Sequence, residues 1–557
     1  MNQDYYDEGR AERGWNALPD ALSRMGYTEL RGTQKPCIKT IFGGQDVFCV
    51  LATGGGKTAL AALPTLCFNC QTIIFSPLIA LMKDQVDSLN RKGIRAGAIN
   101  SNQSDTENWQ TLNAWAEGKC QIMYVAPERI KHPQFSHIMR QAPPSIVVID
   151  EAHMMSKDSR NFRPSYVNCG DFVREYAPDQ VIMLTATATQ EIIDDVVRIM
   201  GTENYVLERH YEERRNLHLS SSVLPNDKDL LPAIRQACNA VEGSVIVYCS
   251  TVKQVASVMS YLAQAGESVT YYHGQISSQT EKDMNQDSFM QNRARIMVAT
   301  NAFGMGIDKP DIEAIIHASP PGSVEAIAQE TGRAARDGRD AYCHMFSTPS
   351  GIFMQKFLWE SSNPRLSTVQ KTMQFIKTHV DKDQMLQMTG EAIGEQINDS
   401  SAPAALNYLV SLGCIERLTP TTKVATIIVQ PGDHGLVKNR KKVLDTVMAY
   451  GFKSGTSGTG GTVYQIDLGL LTDKVALSQD TVVKHLVQMH KDGVIHYTAP
   501  YTGKLTRFLK DLTPEDLRLV EERRNSEWQK VIDVREYMAW PDHLKHEFLS
   551  DYFALDI

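Results

Sequence analysis

No stretch of this sequence approaches the roughly 20 uninterrupted apolar residues that a membrane span needs. The start, Met1-Asn2-Gln3-Asp4-Tyr5-Tyr6-Asp7-Glu8, is acidic and polar, with none of the basic and then apolar character of a secretory signal. Positive charge is not in excess either. Lys and Arg number 57 against 65 Asp and Glu, a net charge of −8. This excludes a polycation that coats nucleic acid by counterion release. Cysteine is scattered: ten residues, most of them inside apolar runs. A reducing, cytoplasmic compartment is the expectation. Beyond Cys343 only Cys414 remains, so no four-ligand zinc set can be assembled there. Cys67 and Cys70 form a lone CxxC in a core helix.

What is present is an ordinary globular composition, 42% hydrophobic and 22% charged, in 557 residues. At about 150 residues per domain that length implies three or four domains. The first 350 residues or so alternate short β-rich apolar runs with helical stretches. Strands are expected at Asp46–Leu51, Thr72–Phe75, Ile122–Val125, Ile146–Ile149 and Val181–Leu184. A second set is expected at Ser244–Cys249, Ser268–Tyr272, Ile296–Ala299, Ala314–His317 and Ala341–Phe346. Runs apolar on both faces and separated by helices imply two parallel-sheet βαβ domains. Glu212–Leu224, charged and then Ser-rich, reads as the linker between them.

Past residue 360 the pattern changes. Helices at Glu391–Asn398 and Ala404–Leu412 precede strands Ile415–Leu418 and Lys423–Val429. Helices at Leu471–Val475 and Asp480–Lys491 precede strands Val494–Tyr497 and Leu505–Leu509. Helix, helix and then hairpin is the winged-helix order. Ser454–Thr462, rich in Gly, Ser and Thr, reads as a loop. The expected fold is thus α/β: two tandem RecA-like domains over 1–211 and 212–360, winged-helix-like α+β domains over 361–430 and 431–510, and an acidic helical tail over 511–557.

The chemistry concentrates in three places. Thr53-Gly54-Gly55-Gly56-Lys57-Thr58 follows a strand and precedes an apolar helix. Its glycines let backbone N–H groups curl around phosphate, and the helix N-terminus adds positive potential. Lys57 would neutralise the β- and γ-phosphates and the Thr58 hydroxyl would hold Mg²⁺. The strand Ile146–Ile149 ends in Asp150-Glu151-Ala152-His153, where Asp150 would bind Mg²⁺ and Glu151 would orient and deprotonate the attacking water. The third place is Gln329-Glu330-Thr331-Gly332-Arg333-Ala334-Ala335-Arg336. Arg333 and Arg336, three apart and so on one helical face, would stabilise transition-state charge on an ATP held by the first domain, with Arg336 as the finger.

With these residues together, the chain resembles a superfamily 2 helicase of the RecQ family over about residues 20–345. Leu30-Arg31-Gly32-Thr33-Gln34 resembles the family's adenine-reading element, which implies that Arg31 and Gln34 help to hold ATP. Ser76-Pro77-Leu78-Ile79-Ala80-Leu81-Met82-Lys83-Asp84-Gln85 is similar to its first strand-contacting motif, and Leu184–Thr189 to the motif coupling hydrolysis to domain movement. Ala299–Pro310, with Asp308, and the Gln329 segment are similar to nucleotide-site motifs of the second domain. The resemblance implies an ATP- and Mg²⁺-dependent DNA helicase moving 3′→5′ on single-stranded DNA, acting on forked or 3′-tailed substrates in DNA repair or recombination. A monomer is expected, no membrane partner, and protein partners are unspecified. Alternatives are an RNA helicase, a translocase without strand separation, or an ATPase-dead scaffold.

The sequence departs from the family pattern in three respects. In the loop Ser156–Pro164, Asp158 stands where the family has tryptophan and Arg160 where it has histidine, while Phe162 and Arg163 remain. DNA sensing is then expected to run through Arg160, Phe162 and Arg163, beside a strand contact at Ser76. The four-cysteine zinc element is missing, so no zinc is expected. Finally, Leu544–Phe553 resembles the segment opening that element, and reads equally as a remnant of it or as a terminal amphipathic helix. In the accessory region Tyr497, Tyr501, Lys504 and Arg507 surround one expected wing, where an aromatic could stack on the last base pair. Charge is uneven: 431–510 holds eleven bases against six acids, including Lys438, Arg440, Lys441 and Lys442, and 511–557 holds twelve acids against six bases. Competition between that acidic tail and DNA for the basic region is a further expectation.

Overall fold

A computed structural model describes residues 7–51, 56–77, 79–156, 164–186, 188–202, 204–210, 213–304, 309–418, 424–432, 434–436, 438–457, 460–498 and 503–554. These fall into two compact units, residues 1–358 with 527–557, and residues 359–526.

The first unit holds two parallel sheets. In the first, β1 (Asp46–Leu51), β2 (Thr72–Phe75), β3 (Ala96–Ile99), β4 (Ile122–Val125), β5 (Ile146–Asp150), β6 (Gln180–Thr185) and β7 (Tyr205–His210) run in the order β3-β4-β2-β5-β6-β1-β7. Successive residues of a strand serve opposite faces. Ile146 and Val148 join one core with Val47, Ile74 and the helix Lys57–Phe68, whereas Val147 and Ile149 join another with Phe75, Trp115 and Phe172. This double burial is why the strands read as continuous apolar runs. β3 and β7 were not among the expected strands. β3 opens on half-buried Ala96 and Gly97, and β7 at the other edge is half-exposed with charged residues, so neither carries the buried-strand signature.

The second sheet comprises β8 (Leu217–Val223), β9 (Ser244–Tyr248), β10 (Val269–Tyr272), β11 (Ile296–Ala299), β12 (Ile312–His317) and β13 (Ala341–Ser347), ordered β10-β11-β9-β12-β13-β8. Glu212–Leu224 is therefore not a linker throughout. Its Leu217–Val223 portion is an edge strand paired in parallel with β13. The serines that suggested a linker are accommodated at the edge: Ser220 Oγ bonds His344 Nδ1 at 2.7 Å, and Ser221 Oγ donates to Met538 O at 3.0 Å.

The C-terminal segment closes this sheet. Tyr537, Phe548 and Leu549 share a core with Leu217, Leu219 and Val324. Tyr552 Oη donates to Glu325 Oε1 at 3.0 Å, and His546 Nε2 lies 2.7 Å from Leu217 O. Residues 527–554 are thus an integral part of the second lobe and not a free acidic arm. Leu544–Phe553 is helical, Lys545–Ala554, with Phe548 and Leu549 turned inward.

In the second unit the strand pairing departs from the expected hairpins. β14 (Met385–Leu386), β15 (Ile415–Leu418) and β20 (Leu505–Phe508) form one antiparallel sheet in the order β14-β20-β15. β16 (Val424–Val429), β17 (Phe452–Thr456), β18 (Thr462–Asp467) and β19 (Ile495–Thr498) form another, ordered β17-β18-β16-β19. Neither β15 with β16 nor β19 with β20 is a wing. Residues 424–498 are instead inserted within a β15–β20 pair, so the unit expected to begin at residue 431 already includes β16. Burial decides the exchange. Ile415 packs with Ile393, Leu406 and Leu409, while Ala425 and Ile427 pack with Val443, Leu471 and Leu486. Ser454–Thr462 is not all loop, since β17 and β18 enter it from both ends.

Among the described residues no helix is long and apolar enough to cross a membrane.

Candidate nucleotide site

Because the first sheet is parallel, the carboxyl ends of its strands share one edge, the usual location of sites in such folds. β1 leads into the Gly-rich loop, β2 ends before Ser76, β5 ends on Asp150, and β6 ends on Thr185. Thr53, Gly54 and Gly55 lie outside the described residues. Gly56 is left-handed, with φ 79 and ψ 35, and it caps the helix Lys57–Phe68. A β-carbon at Gly56 would collide with the Gln34 amide. Gln34, itself buried, bridges two motifs: its Oε1 accepts from Arg31 N at 2.8 Å and its Nε2 donates to Gly56 O at 3.2 Å. The expected adenine element and the phosphate loop are thereby locked together. Thr58 follows Lys57 in the first helical turn, half-buried.

Lys57 Nζ lies 3.5 Å from Glu151 Oε1. Glu151 Oε2 lies 3.3 Å from His153 Nδ1, which is 2.9 Å from Thr185 Oγ1. A polar chain thus runs from the phosphate loop through Glu151 and His153 to the end of β6. Glu151 has a left-handed backbone, φ 50, unusual for a side chain with a β-carbon. That conformation turns the chain sharply from β5 into the 3-10 helix Ala152–Met155. Strain of this kind persists only where its surroundings hold it.

The two adjacent carboxylates differ. Burial and the neighbouring Glu151 charge push Asp150 well above the usual carboxylate range, against the pull of Lys57. Burial also works to raise Glu151, but Lys57 and His153 overcome it and hold Glu151 below its ordinary value. Asp150 Oδ1 accepts from Glu151 N at 3.0 Å, and Asp150 Oδ2 faces Ser76 Oγ at 3.5 Å. Ser76 is fully buried. It was expected to contact DNA; in the structure this first residue after β2 is turned inward beside Asp150. Tyr166 Oη donates to the Asp150 carbonyl at 3.1 Å.

In the second lobe the expected shared helical face of Arg333 and Arg336 is not formed. The helix Val324–Thr331 ends at Thr331, and Ala335 is left-handed, φ 44. Arg333 is buried and donates to Gly304 O, while Arg336 is half-buried. Both charges act on Tyr248, lowering a phenol that burial nevertheless pushes up to about 12. Gln329 is half-buried on the same helix, and its neighbour Glu330 is paired with buried His317 at 2.7 Å. Asp308 lies outside the described residues.

The expected DNA contacts fare unevenly. Arg160, Phe162, Arg163 and Tyr501 lie outside the described residues. Tyr497 is no wing-tip residue. It sits opposite Ile427 in the β16–β19 ladder and packs on the inserted core. Arg507 belongs to the other sheet, 3.3 Å from Glu416 across β15, and Lys504 is exposed just before β20. In the basic cluster Lys442 Nζ donates to Val475 O at 2.7 Å and Arg440 pairs with Asp492 at 3.1 Å.

His153, Thr185 and Tyr166 were not singled out from the sequence as site residues. The first two lie in motifs that had been noted, which was the available signal. Tyr166 carried none.

Residues 31–196 match the DEAD/DEAH box helicase family and residues 228–338 the helicase conserved C-terminal domain. The chain is 37% identical over 340 residues to the ATP-dependent DNA helicase RecQ of Bacillus subtilis, covering 61% of this chain and 57% of that one. It is 30% identical over 438 residues to the ATP-dependent DNA helicase RecQ of Haemophilus influenzae, covering 78% and 67%. Among solved structures, S. cerevisiae Dbp5 bound to RNA and ADP BeF3 shares the fold of the two lobes at 18% identity and TM-score 0.50, covering 61% of this chain and 90% of that one.

Proposed function

The chain belongs to the RecQ family of helicases, and from that membership we propose that it is an ATP- and Mg²⁺-dependent DNA helicase that moves 3′→5′ on single-stranded DNA and separates forked or 3′-tailed duplexes. The observation that carries this reading is the Lys57–Glu151–His153–Thr185 chain, which joins the phosphate loop to the motif expected to couple hydrolysis to movement.

The donor set suits both ligands. Asp150, desolvated and beside a second carboxylate, has its charge under-compensated, which is the condition a divalent cation relieves. Asp150 and the Thr58 hydroxyl would hold Mg²⁺. Magnesium bound there supplies charge neutralisation to the β- and γ-phosphates. Gln34 and Arg31 would hold the adenine, and Gly54, Gly55 and Gly56 the phosphates. Lys57 has two competing partners, Glu151 and a phosphate. Drawing Lys57 toward phosphate removes the main restraint on Glu151, which then rises in basicity while His153 continues to orient it. Glu151 is thereby able to take the proton of the attacking water when nucleotide is in place. Arg333 and Arg336 would serve transition-state charge from the second lobe.

The test is a strand-displacement assay on a 3′-tailed duplex with and without ATP, with blunt DNA and tailed RNA as controls. Displacement only of the tailed DNA, only with ATP, is expected. Glu151→Gln is expected to lower ATP turnover by about 10²-fold or more, in line with loss of a general base, while nucleotide binding persists. Unimpaired turnover in that variant would remove the assigned active site.

A further inference from the structure

A second cluster of ligating side chains involves the helix that carries Gln34, one turn further along. Ligand atoms of Cys37, Glu208 and His210 all fall within 4.8 Å of one another. Cys37 is on the helix Gln34–Phe42, and Glu208 and His210 are two apart on the edge strand β7, hence on the same face. The Cys37 thiol is fully buried, whereas the Glu208 and His210 side chains keep 15% and 30% of their exposure. The cluster therefore has a soft donor at its floor and a mouth open to solvent.

We propose that Cys37, Glu208 and His210 form a binding site for one divalent cation of the zinc class, which staples the Gln34 helix to β7. The donor chemistry selects the cation. Thiolate, imidazole and carboxylate together suit zinc, and a thiolate is a poor ligand for magnesium. Three protein ligands leave the fourth position to water on the exposed side. Binding releases the Cys37 thiol proton to solvent, and the imidazole of His210 binds in its neutral form.

The surroundings support the ligands. Thr40 Oγ1 donates to Glu208 Oε1 at 2.6 Å, leaving Oε2, which now faces His210 Nε2 at 2.7 Å, as the inward oxygen. Hydrogen bonds of this kind fix the orientation of a ligating carboxylate. Cys49 stands directly opposite Glu208 in the β1–β7 register, and the Cys37 thiol donates to Thr33 O at 3.4 Å, a bond that cation binding would replace. Cys37 is three residues after Gln34, about one helical turn, so fixing it fixes the turn that bridges Arg31 and Gly56. The site uses none of the positions of the four-cysteine element, and it departs from the expectation of a zinc-free protein.

Cobalt(II) is the probe, titrated into chelator-stripped full-length protein. One equivalent is expected to bind with a thiolate-to-cobalt charge-transfer band, to be displaced by zinc, and to survive excess magnesium. Cys37→Ser and His210→Ala are each expected to lose the band and to weaken binding at least tenfold. Cys67→Ser/Cys70→Ser is expected to retain both. His210 is partly exposed, so His210→Ala remains informative if Cys37→Ser misfolds. Absence of the band in the unmodified protein, its persistence in either ligand variant, or its loss only in the Cys67/Cys70 variant would overturn the site.

Discussion

Asp46, at the first residue of β1, shows how much one side chain contributes away from the chemistry. Its Oδ1 accepts from Val181 N at 2.7 Å, pinning β1 to β6 at the end of the sheet away from the phosphate loop. Burial nonetheless pushes it up to about 6, against that hydrogen bond. The folded-state value exceeds the unfolded one, so its contribution to stability is complete in acid and is lost as pH rises through about 6. Asn keeps the acceptor without the charge. Asp46→Asn is expected to gain on the unmodified protein by about 1–3 kcal/mol between pH 4.5 and 7.5. Denaturant unfolding at the two pH values measures this, and a pH-independent difference would refute it. Glu151 and Asp150 make the complementary point: two adjacent carboxylates are driven apart by what surrounds each of them, Lys57 and His153 for one, desolvation for the other.

Among elements, the terminal helix Lys545–Ala554 is built into the core of the second lobe. Its Phe548 stacks edge-on against Tyr537 and Trp540 at 5.5 and 5.1 Å and joins the core with Leu217. Phe548→Ala is expected to destabilise the second lobe by about 3–5 kcal/mol, the usual cost of emptying a packed aromatic site. Thermal unfolding checks this, and a shift below about 1 kcal/mol would show that the helix is merely appended. The same packing revises what removing the acidic tail would do. Deleting 511–557 strips core residues from the second lobe, so a change in DNA affinity on deletion would not isolate the charge effect. The helix Val324–Thr331 carries the opposite lesson: it stops before Arg333, and the spacing of two arginines said nothing about where their helix ends.

At the scale of the whole chain, the insertion of 424–498 between β15 and β20 separates two tasks. Leu418 and Leu505 are already paired across the β15–β20 ladder. Replacing 419–503 with Asn-Gly should therefore close the hairpin through a three-residue loop, Asn-Gly-Lys504, without disturbing either flank. The excised protein is expected to fold and to keep its ATP turnover, because the ATP-site residues all lie in the other unit. It also loses nine Lys and Arg against six Asp and Glu, so its DNA affinity is expected to fall and its salt dependence to flatten. Loss of ATP turnover on excision would show that the segment is structurally required instead. Net charge taken over the whole chain, −8, concealed this local excess.

The sequence by itself determined the two parallel sheets and the residues of the phosphate loop and the Asp150–His153 motif. Double-sided burial writes a strand as an unbroken apolar run, and phosphate chemistry demands a fixed order of Gly, Lys and Thr. Edge strands β3, β7 and β8 were not legible, because half-solvated edges lose that signature; edge strand β10 was, through its β-branched and aromatic run Val269-Thr270-Tyr271-Tyr272. Tertiary structure alone decided the rest. Strand partners in the second unit were chosen by which core each strand buries, Ile415 in one and Ile427 in the other, and neighbouring positions in the chain carry no record of that choice. Ser76, expected as a DNA contact, is buried because it follows directly on a central strand beside Asp150. The grouping of Cys37, Glu208 and His210, residues far apart in sequence, exists only because an edge strand lies beneath the Gln34 helix.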